Sequence, residues 1–303
     1  MKEHVAIVSH DAGGAEILSS WLKRNSHSVS VVAAGPAKKI FEYKCPNVEF
    51  LNLEDALKKS DWVLSGTGWE SNFERNAISK ARKLGIKTVA FLDHWVNYRE
   101  RFEENGSIVL PDEIWVGDSE AERIAKDIFD NTPILLKSNP YFEDLINDID
   151  VIQQVKTKTE KTRVLYVCEP IADHAFKQYG KYNYWGYTEK EALRFFLLNI
   201  SSLSSSIDLI TIRPHPSEPK DKYRWANSLS DLRVQFGGKK TLLEETVDSD
   251  IVVGCESVAM VVGLLAKKRV ICAIPPGGRP CQLPHPEIEN LQRLVGTKIY
   301  LHE

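Results

Sequence analysis

The residues Thr211-Ile212-Arg213-Pro214-His215-Pro216-Ser217-Glu218 carry the sharpest chemical signal in this chain. Two prolines flank the histidine, and each fixes its own φ and restricts the residue before it, so the imidazole is aimed in one direction. Arg213 and His215 can hold phosphate oxygens, and the Ser217 hydroxyl adds a donor. The plain alternative is a turn shaped by proline. A second signal is Gly254-Cys255-Glu256-Ser257-Val258. Ser257 suits a helix N-cap, and the free amides after it form a second cradle for phosphate. Capping alone also accounts for Ser257. Glu169, at the end of an apolar run, is an acidic candidate for catalysis.

Two loops in the first half add chemistry of another kind. In Ser9-His10-Asp11-Ala12-Gly13-Gly14-Ala15-Glu16, Gly13 and Gly14 let backbone amides approach a phosphate at a helix start. The spacing is not GxGxxG, which argues against a nicotinamide or flavin cofactor. Asp11 is the first candidate base, with His10 beside it as a substrate contact; a tight strand-to-helix turn is the rival explanation. Leu92-Asp93-His94-Trp95-Val96-Asn97-Tyr98-Arg99-Glu100-Arg101-Phe102 is the densest polar-aromatic cluster. Trp95 and Tyr98 are expected to form a stacking wall for a sugar, with His94, Asn97 and Arg99 binding its hydroxyls or a phosphate. Asp93 is a second candidate base. The rival explanation is a packing loop whose polar groups satisfy one another. No second ligand cluster accompanies Asp93-His94, so no metal site is expected. Pro275-Pro276-Gly277-Gly278-Arg279-Pro280 reads as a loop able to close over a donor. His4, His27 and His302 read as solvated or terminal, and His174 and His285 are undecided.

The elements that must position these loops alternate β-rich and helical patterns. Strands are expected at Val5–Ser9, Val29–Ala34, Asp61–Ser65, Thr88–Leu92, Glu113–Val116 and Ile134–Leu136. Helices are expected at Gly14–Asn25, Leu53–Lys59 and about Asn72 to Leu84. Pro140 opens a helical stretch, and the lysine-rich Gln153–Lys161 reads as a linker. The alternation then restarts, with strands at Val164–Cys168, Leu209–Ile212, Leu232–Gln235, Ile251–Val253 and Val270–Ile274. Helices are expected there at Glu189–Leu203, Tyr223–Leu229, Thr241–Val247, Val258–Ala266 and Pro286–Leu294. Continuous apolar strands separated by helices mark parallel sheets covered on both faces. The expected α/β fold is two facing Rossmann-like domains, residues 1–150 and 151–303, with a cleft between them where the strands' carboxyl ends meet.

Composition narrows the partners. The 303 residues hold 39 Lys+Arg against 42 Asp+Glu, a formal net charge of −3, with 43% hydrophobic residues. Such balance excludes wholesale disorder and argues against a nucleic-acid binder. No apolar run approaches the roughly 18–20 residues of a membrane span, and residues 1–9 lack the apolar core of a signal peptide. The five cysteines include no CxxC pair, which points away from a disulfide framework or zinc site and toward a reducing cytoplasm.

In order and type these parts resemble a GT-B glycosyltransferase, over nearly the whole chain in architecture and over a few dozen residues in motif. Arg213-Pro214-His215-Pro216 resembles the His-Pro motif of bacterial sialyltransferases, Kdo transferases and CDP-polyol phosphotransferases. Ser257 matches the serine at their donor-binding helix start, while Glu256 and Cys255 stand where a paired serine is often found. The resemblance implies an N-terminal acceptor domain and a C-terminal donor domain. It further implies transfer of a sugar from a phosphate-activated donor (a nucleotide sugar, CMP- or CDP-linked ones included) to a hydroxyl of a glycan or lipid-linked glycan acceptor. The setting would be bacterial surface polysaccharide synthesis (capsule or O-antigen), with at most peripheral membrane association. No cofactor is implied, although a divalent cation accompanying the donor is compatible. Three rival functions stand beside it: phosphoribosyl transfer from phosphoribosyl pyrophosphate, a nucleotide-sugar epimerase or hydrolase, and a non-catalytic nucleotide-binding module.

Overall fold

The computed structural model describes residues 2–68, 71–104, 106–154, 161–229 and 232–300. The chain divides into two compact units, Met1–Asp144 and Leu145–Glu303. The first contains β1 (His4–Ser9), α1 (Ala12–Arg24), β2 (Ser28–Ala33), α2 (Gly35–Lys44), β3 (Glu49–Phe50), α3 (Leu53–Lys59), β4 (Trp62–Ser65), α4 (Phe73–Lys83) and β5 (Lys87–Leu92). A short hairpin of β6 (Glu103–Glu104) and β7 (Ser107–Ile108) follows, then β8 (Glu113–Val116), α5 (Ser119–Ile128), β9 (Ile134–Leu136) and α6 (Pro140–Gln153), which runs across the unit boundary.

The seven-stranded sheet has the order β3-β2-β1-β4-β5-β8-β9, and all its pairings are parallel. In the central strand β1, Val5 and Ile7 pack with Ala15, Leu18 and Phe41 on one face. Ala6 and Val8 pack with Ala56, Leu57, Ala77 and Ala81 on the other. Successive side chains of a strand point to opposite faces, so burial on both faces requires the unbroken apolar run seen in the sequence. The chain winds outward from β1 to β3 and then crosses back to β4. The order therefore reverses between β1 and β4, and the loops leaving those strands diverge around the reversal.

The second unit repeats the plan. It contains β10 (Thr162–Val167), α7 (Ile171–Tyr179), α8 (Glu189–Leu198), β11 (Ile207–Arg213), β12 (Arg233–Phe236), α9 (Leu242–Asp248), β13 (Ile251–Gly254), α10 (Val258–Leu265), β14 (Arg269–Cys272), β15 (Ile288–Asn290) and α11 (Leu291–Tyr300). Its sheet order is β12-β11-β10-β13-β14-β15, and the reversal falls between β10 and β13. Val164, Tyr166, Phe196, Ile210, Ile212 and Val253 share one core. Both α8 and α9 open on reciprocal capping boxes, Thr188 with Glu191 and Thr241 with Glu244.

Three expected elements differ. The Tyr223–Leu229 helix is a single 3-10 segment, Arg224–Ser228, because the buried Tyr223 donates its hydroxyl to Glu218 and pins the entry. The Glu189–Leu203 helix stops at Leu198, and a 3-10 turn, Ile200–Ser202, follows. Residues 286–294 are not one helix: Ile288–Asn290 adds a parallel edge strand to β14, clamped by Arg269 on Glu289 at 2.6 and 2.7 Å, and α11 begins after it. Periodicity did not reveal α2, α5, α7, β3 or the β6–β7 hairpin. Residues 155–160 of the expected linker lie outside the described residues. No helix among the described residues is long and apolar enough to cross a membrane.

One close approach fixes the edge of the second unit. Gly186 sits at φ +83°, and a Cβ built there would overlap the carbonyl oxygen of Gly277. The turn before α8 thus rests on the glycine-proline loop after β14, helped by the Arg279 amide donating to the Trp185 carbonyl at 2.9 Å. Gly186→Ala combines left-handed strain with a backbone clash, so it should lower stability by about 1–3 kcal/mol. A urea titration checks this; an unchanged midpoint would mean the two loops part at no cost.

Candidate functional site

At the carboxyl edge of the second sheet, the loop after β10 places Glu169 against the start of α10. Its Oε1 accepts from the amides of Cys255 at 3.0 Å and Glu256 at 2.9 Å. These amides lie just ahead of the expected phosphate cradle, which was placed on the amides after Ser257, and a carboxylate of the chain itself occupies them. Burial pushes the Glu169 carboxyl up to about 7; its amide hydrogen bonds oppose that rise and the nearby Glu256 carboxylate reinforces it. Glu256 is also raised by burial, against the pull of Arg279, which holds it at 2.6 Å and lies 4.1 Å over the Trp185 ring. Ser257 caps α10 by accepting from the Ala259 amide at 3.2 Å, leaving its hydroxyl proton to donate. The Cys255 carbonyl accepts from two thiols, Cys272 at 3.4 Å and Cys281 at 3.3 Å.

The loop after β11 holds the His-Pro segment. The buried Glu218 carboxylate accepts from the His215 backbone amide at 3.0 Å, the Tyr223 hydroxyl at 2.6 Å and Lys222 at 2.8 Å. Lys222 continues to Glu189, and Glu189 accepts from the Ala172 amide at 2.8 Å. A buried ionic chain thus ties the loop to the starts of α7 and α8. The His215 ring is half-buried, and its Nδ1 lies 2.7 Å from Ser217 Oγ and 3.3 Å from the Ser217 amide. That amide can only donate, so Nδ1 serves it as acceptor and Nε2 carries the proton of the neutral ring. Burial holds His215 below the ordinary histidine value; Glu218 opposes this, and the neighbouring His174 on α7 reinforces it. The structure turns Arg213 elsewhere: its guanidinium binds Glu245 at 2.6 Å and the Lys240 carbonyl at 3.0 Å, on the α9 side.

In the first unit, the loops after β1, β4 and β5 converge. His10 Nδ1 lies 2.7 Å from Asp11 Oδ1, both side chains about a third exposed. The His10 amide donates to Glu74 Oε1 at 2.6 Å, and the other oxygen of this buried carboxylate has no hydrogen-bond partner among the described residues. Burial raises the Glu74 carboxyl. A Cβ on Gly68 would stand 2.7 Å from Asp11 Oδ2, so the Gly66-Thr67-Gly68 backbone passes directly over Asp11. Asp93 is held differently. Arg101, 5% exposed, donates to it at 2.6 Å and also to the Thr67 hydroxyl and carbonyl.

Several expected contacts are corrected by this geometry. A Cβ on Gly13 would overlap Asp93 Oδ2, so Asp93 itself stands where a phosphate was expected over Gly13. Gly14 packs against Gly66 and the Ser9 hydroxyl. Trp95 and Tyr98 do not form an open stacking wall: both are buried, with Trp95 Nε1 donating to Asp118 at 2.9 Å. Burial drives the Tyr98 phenol well above its ordinary value. His94 accepts the Trp95 amide at 2.9 Å, Asn97 takes a φ of +56° in the turn, and the exposed Arg99 lies 3.7 Å from Glu103. Glu74, Arg101, Glu218 and His174 join the sites without having been predicted. Arg101 and Glu218 stood in the quoted loops, but nothing in the sequence marks which charged residue will be buried.

No protein-family model matches the sequence, and no curated protein sequence does. Solved structures do resemble the fold. MurG from Acinetobacter baumannii aligns over 99% of this chain and 91% of its own, with TM-score 0.57 and 11% identity. MnaA of S. aureus, in a structure with UDP, aligns over 99% and 88% with TM-score 0.62 and 10% identity. The UDP-GlcNAc 2-epimerase of Methanocaldococcus jannaschii aligns over 99% and 93% with TM-score 0.60 and 12% identity. These likenesses show the fold, a pair of Rossmann-like units of GT-B type.

The raised Glu169 carboxyl has a measurable consequence. Between the ordinary glutamate value of about 4.3 and about 7, the folded chain keeps a proton that the unfolded chain releases. Glu169 therefore contributes stability at low pH that is lost as pH rises through that window. Glu169→Gln keeps an oxygen for both amides and removes the titration. Melting curves from pH 4.5 to 8 should show a shallower loss of stability in the variant, whereas parallel curves would place the Glu169 carboxyl in the ordinary range.

Proposed function

We propose that this protein is a glycosyltransferase of bacterial surface polysaccharide synthesis, working at the cytoplasmic face. The second unit holds a nucleotide-activated sugar, and the first activates a hydroxyl of a glycan or lipid-linked glycan acceptor. The observation that carries this reading is the His215 geometry: an imidazole aimed by two prolines, anchored through its backbone by Glu218, with its Nε2 proton directed away from Ser217. The donor's phosphate accepts hydrogen bonds from His215 Nε2 and Ser257, while the Ser217 hydroxyl stays on His215 Nδ1, Glu169 keeps the Cys255 and Glu256 amides and Arg213 keeps Glu245. The fold shared with MurG, and with a protein solved with UDP, supports a nucleotide-sugar substrate.

In the transfer, the acceptor oxygen forms a bond to the sugar's anomeric carbon as the bond to the phosphate oxygen breaks. The leaving phosphate takes the electron pair, and the hydroxyl proton passes to the base. Asp11 suits the base role better than Asp93, because Asp11 is partly exposed and, among the described residues, its carboxylate is held by His10, whereas Asp93 is locked by Arg101. Donors aimed at the departing phosphate stabilise charge that grows in the transition state. The epimerase fold neighbours favour a second reading, acceptor-independent epimerisation of a nucleotide sugar.

Two variants and one comparison test this. Asp11→Asn should lose about 10²–10⁴ of turnover with donor affinity nearly intact. His215→Ala should lose about 10²–10³ of turnover and weaken donor binding, yet stay folded, because Glu218 grips the backbone amide rather than the ring. Wild-type donor affinity in folded His215→Ala, read by calorimetric titration, would remove the phosphate role. Mass spectrometry of products from a panel of donors, with and without acceptors, separates the readings: a donor epimerised without any acceptor rejects transfer.

A further inference from the structure

Three of the five cysteines meet at the carboxyl edge of the second sheet, and the proposed transfer uses none of their thiols. Gly254 and Cys272 pair as the last residues of β13 and β14, which brings the Cys255 backbone beside the end of β14. The Ala273 amide donates to the Gly254 carbonyl at 2.7 Å and carries that register past the strand. The chain then runs through Pro275-Pro276-Gly277-Gly278-Arg279-Pro280 and returns Cys281 to the same place. Two thiols end on one atom: Cys272 Sγ is 3.4 Å and Cys281 Sγ 3.3 Å from the Cys255 carbonyl oxygen. Sulfurs that close to one oxygen are close to each other, and the two side chains hydrogen-bond. The Cys255 thiol itself lies elsewhere, against the buried Tyr166. The returning loop is pinned shortly before Cys281, where Arg279 binds Glu256 at 2.6 Å and its amide donates to the Trp185 carbonyl at 2.9 Å.

The two thiols differ in what they can do. Cys272 is 1% exposed, whereas Cys281 is partly open to solvent. The thiolate is the attacking form of cysteine. The hydrogen bond with Cys272 holds the Cys281 thiol below its ordinary value, and the Leu283 amide helps, against burial and the nearby Glu256 and Glu169 carboxylates. The same hydrogen bond and burial push Cys272 up, so its proton stays until it is needed. We propose that Cys281 and Cys272 form a thiol–disulfide exchange site that reacts with a small-molecule disulfide of the glutathione type and closes to an internal disulfide. The Cys281 thiolate attacks one sulfur of the reagent, a mixed disulfide forms, and the first thiolate leaves with the electron pair of the broken S–S bond. Cys272 then gives up its proton and attacks the Cys281 sulfur, and the second thiolate leaves. The two leaving thiolates take up the two cysteine protons, so the protein's sulfurs are oxidised and the reagent's are reduced. The bridge removes both sulfur donors from the Cys255 carbonyl, close ahead of the Ser257 cap, and ties the loop that carries Arg279 to the end of β14. It forms whichever reaction the chain catalyses.

Thiol mapping of the full chain tests the site. The protein is equilibrated with oxidised and reduced glutathione, quenched in acid, alkylated in denaturant and digested with trypsin. Trypsin does not cut between Arg279 and Pro280, so the peptide Val270–Arg293 carries both cysteines. From oxidising buffer that peptide should carry no alkyl group and should weigh two hydrogen atoms less than its reduced, unalkylated form; dithiothreitol should restore both thiols. Cys272→Ser should stop with glutathione attached to Cys281, and Cys281→Ser, a change in a partly exposed loop, should leave Cys272 open to alkylation. Oxidation in urea at the same glutathione ratio should give at least about tenfold less bridge, because the fold supplies the local concentration. In the reduced native chain, iodoacetamide should reach Cys281 ahead of Cys45, whose thiol is pushed up by burial. The proposal is overturned if both thiols stay open to alkylation in fully oxidising buffer, if the wild type stops at the glutathione adduct, or if Cys281 pairs with another cysteine. Equal bridging in urea, or labelling of Cys45 first, would overturn it as well.

Discussion

A carboxylate seated on backbone amides organises the carboxyl edge of the second sheet. Glu169 leaves β10, the strand at which the winding reverses, and its oxygen takes the amides of Cys255 and Glu256, the two residues ahead of the Ser257 cap of α10. A helix start favours negative charge close by. Holding this turn internally positions Ser257 as the cap. The first unit answers the same electrostatic demand with Asp93, which lies over Gly13 at the start of α1. In the second unit the carboxylate comes from the loop after β10, the strand beside β13, and in the first from the loop after β5, two strands from β1.

Around these anchors, charge is held in closed chains. Glu218, Lys222 and Glu189 run from the His-Pro loop to the Ala172 amide; Arg101 joins Asp93 to Thr67; Arg279 joins Glu256 to the Trp185 face. Removing one partner from such a chain leaves an uncompensated charge away from water, which costs several kcal/mol. Rigid loops are the result. Beside them, the Asp11 and His215 side chains remain partly exposed.

The sequence made the fold legible because burial on both faces of a parallel sheet writes unbroken apolar runs. Strands such as Glu113–Val116 and Ile134–Leu136 stand where the apolar pattern puts them. The pattern failed where tertiary contact overrides it: Ile288–Asn290 is a strand because β14 offers it a free edge, and Tyr223 is held by Glu218 rather than by helical neighbours. In the sites, residue type located the loops but not their partners. Glu169 lies 86 residues from Cys255, and no local spacing announces that its carboxylate will fill the amides ahead of Ser257. Trp95 and Tyr98 were conspicuous for their aromaticity, and that same apolar area is what carried them into the core.

The opposed faces of β1 bear on how this chain tolerates changes in length. Val5 and Ile7 serve one helical layer and Ala6 and Val8 the other, so a one-residue insertion within the strand would exchange the two sets and present each layer with side chains of the wrong size. The same insertion at the carboxyl edge would displace Asp11 or Asp93 from its partners. Connections at the amino edge, such as the Gly85 turn between α4 and β5, where an added Cβ meets nothing within 4 Å, carry neither burden. The scaffold is therefore directional in what it permits: indels belong at one rim of the sheet, while the other rim is fixed in length residue by residue.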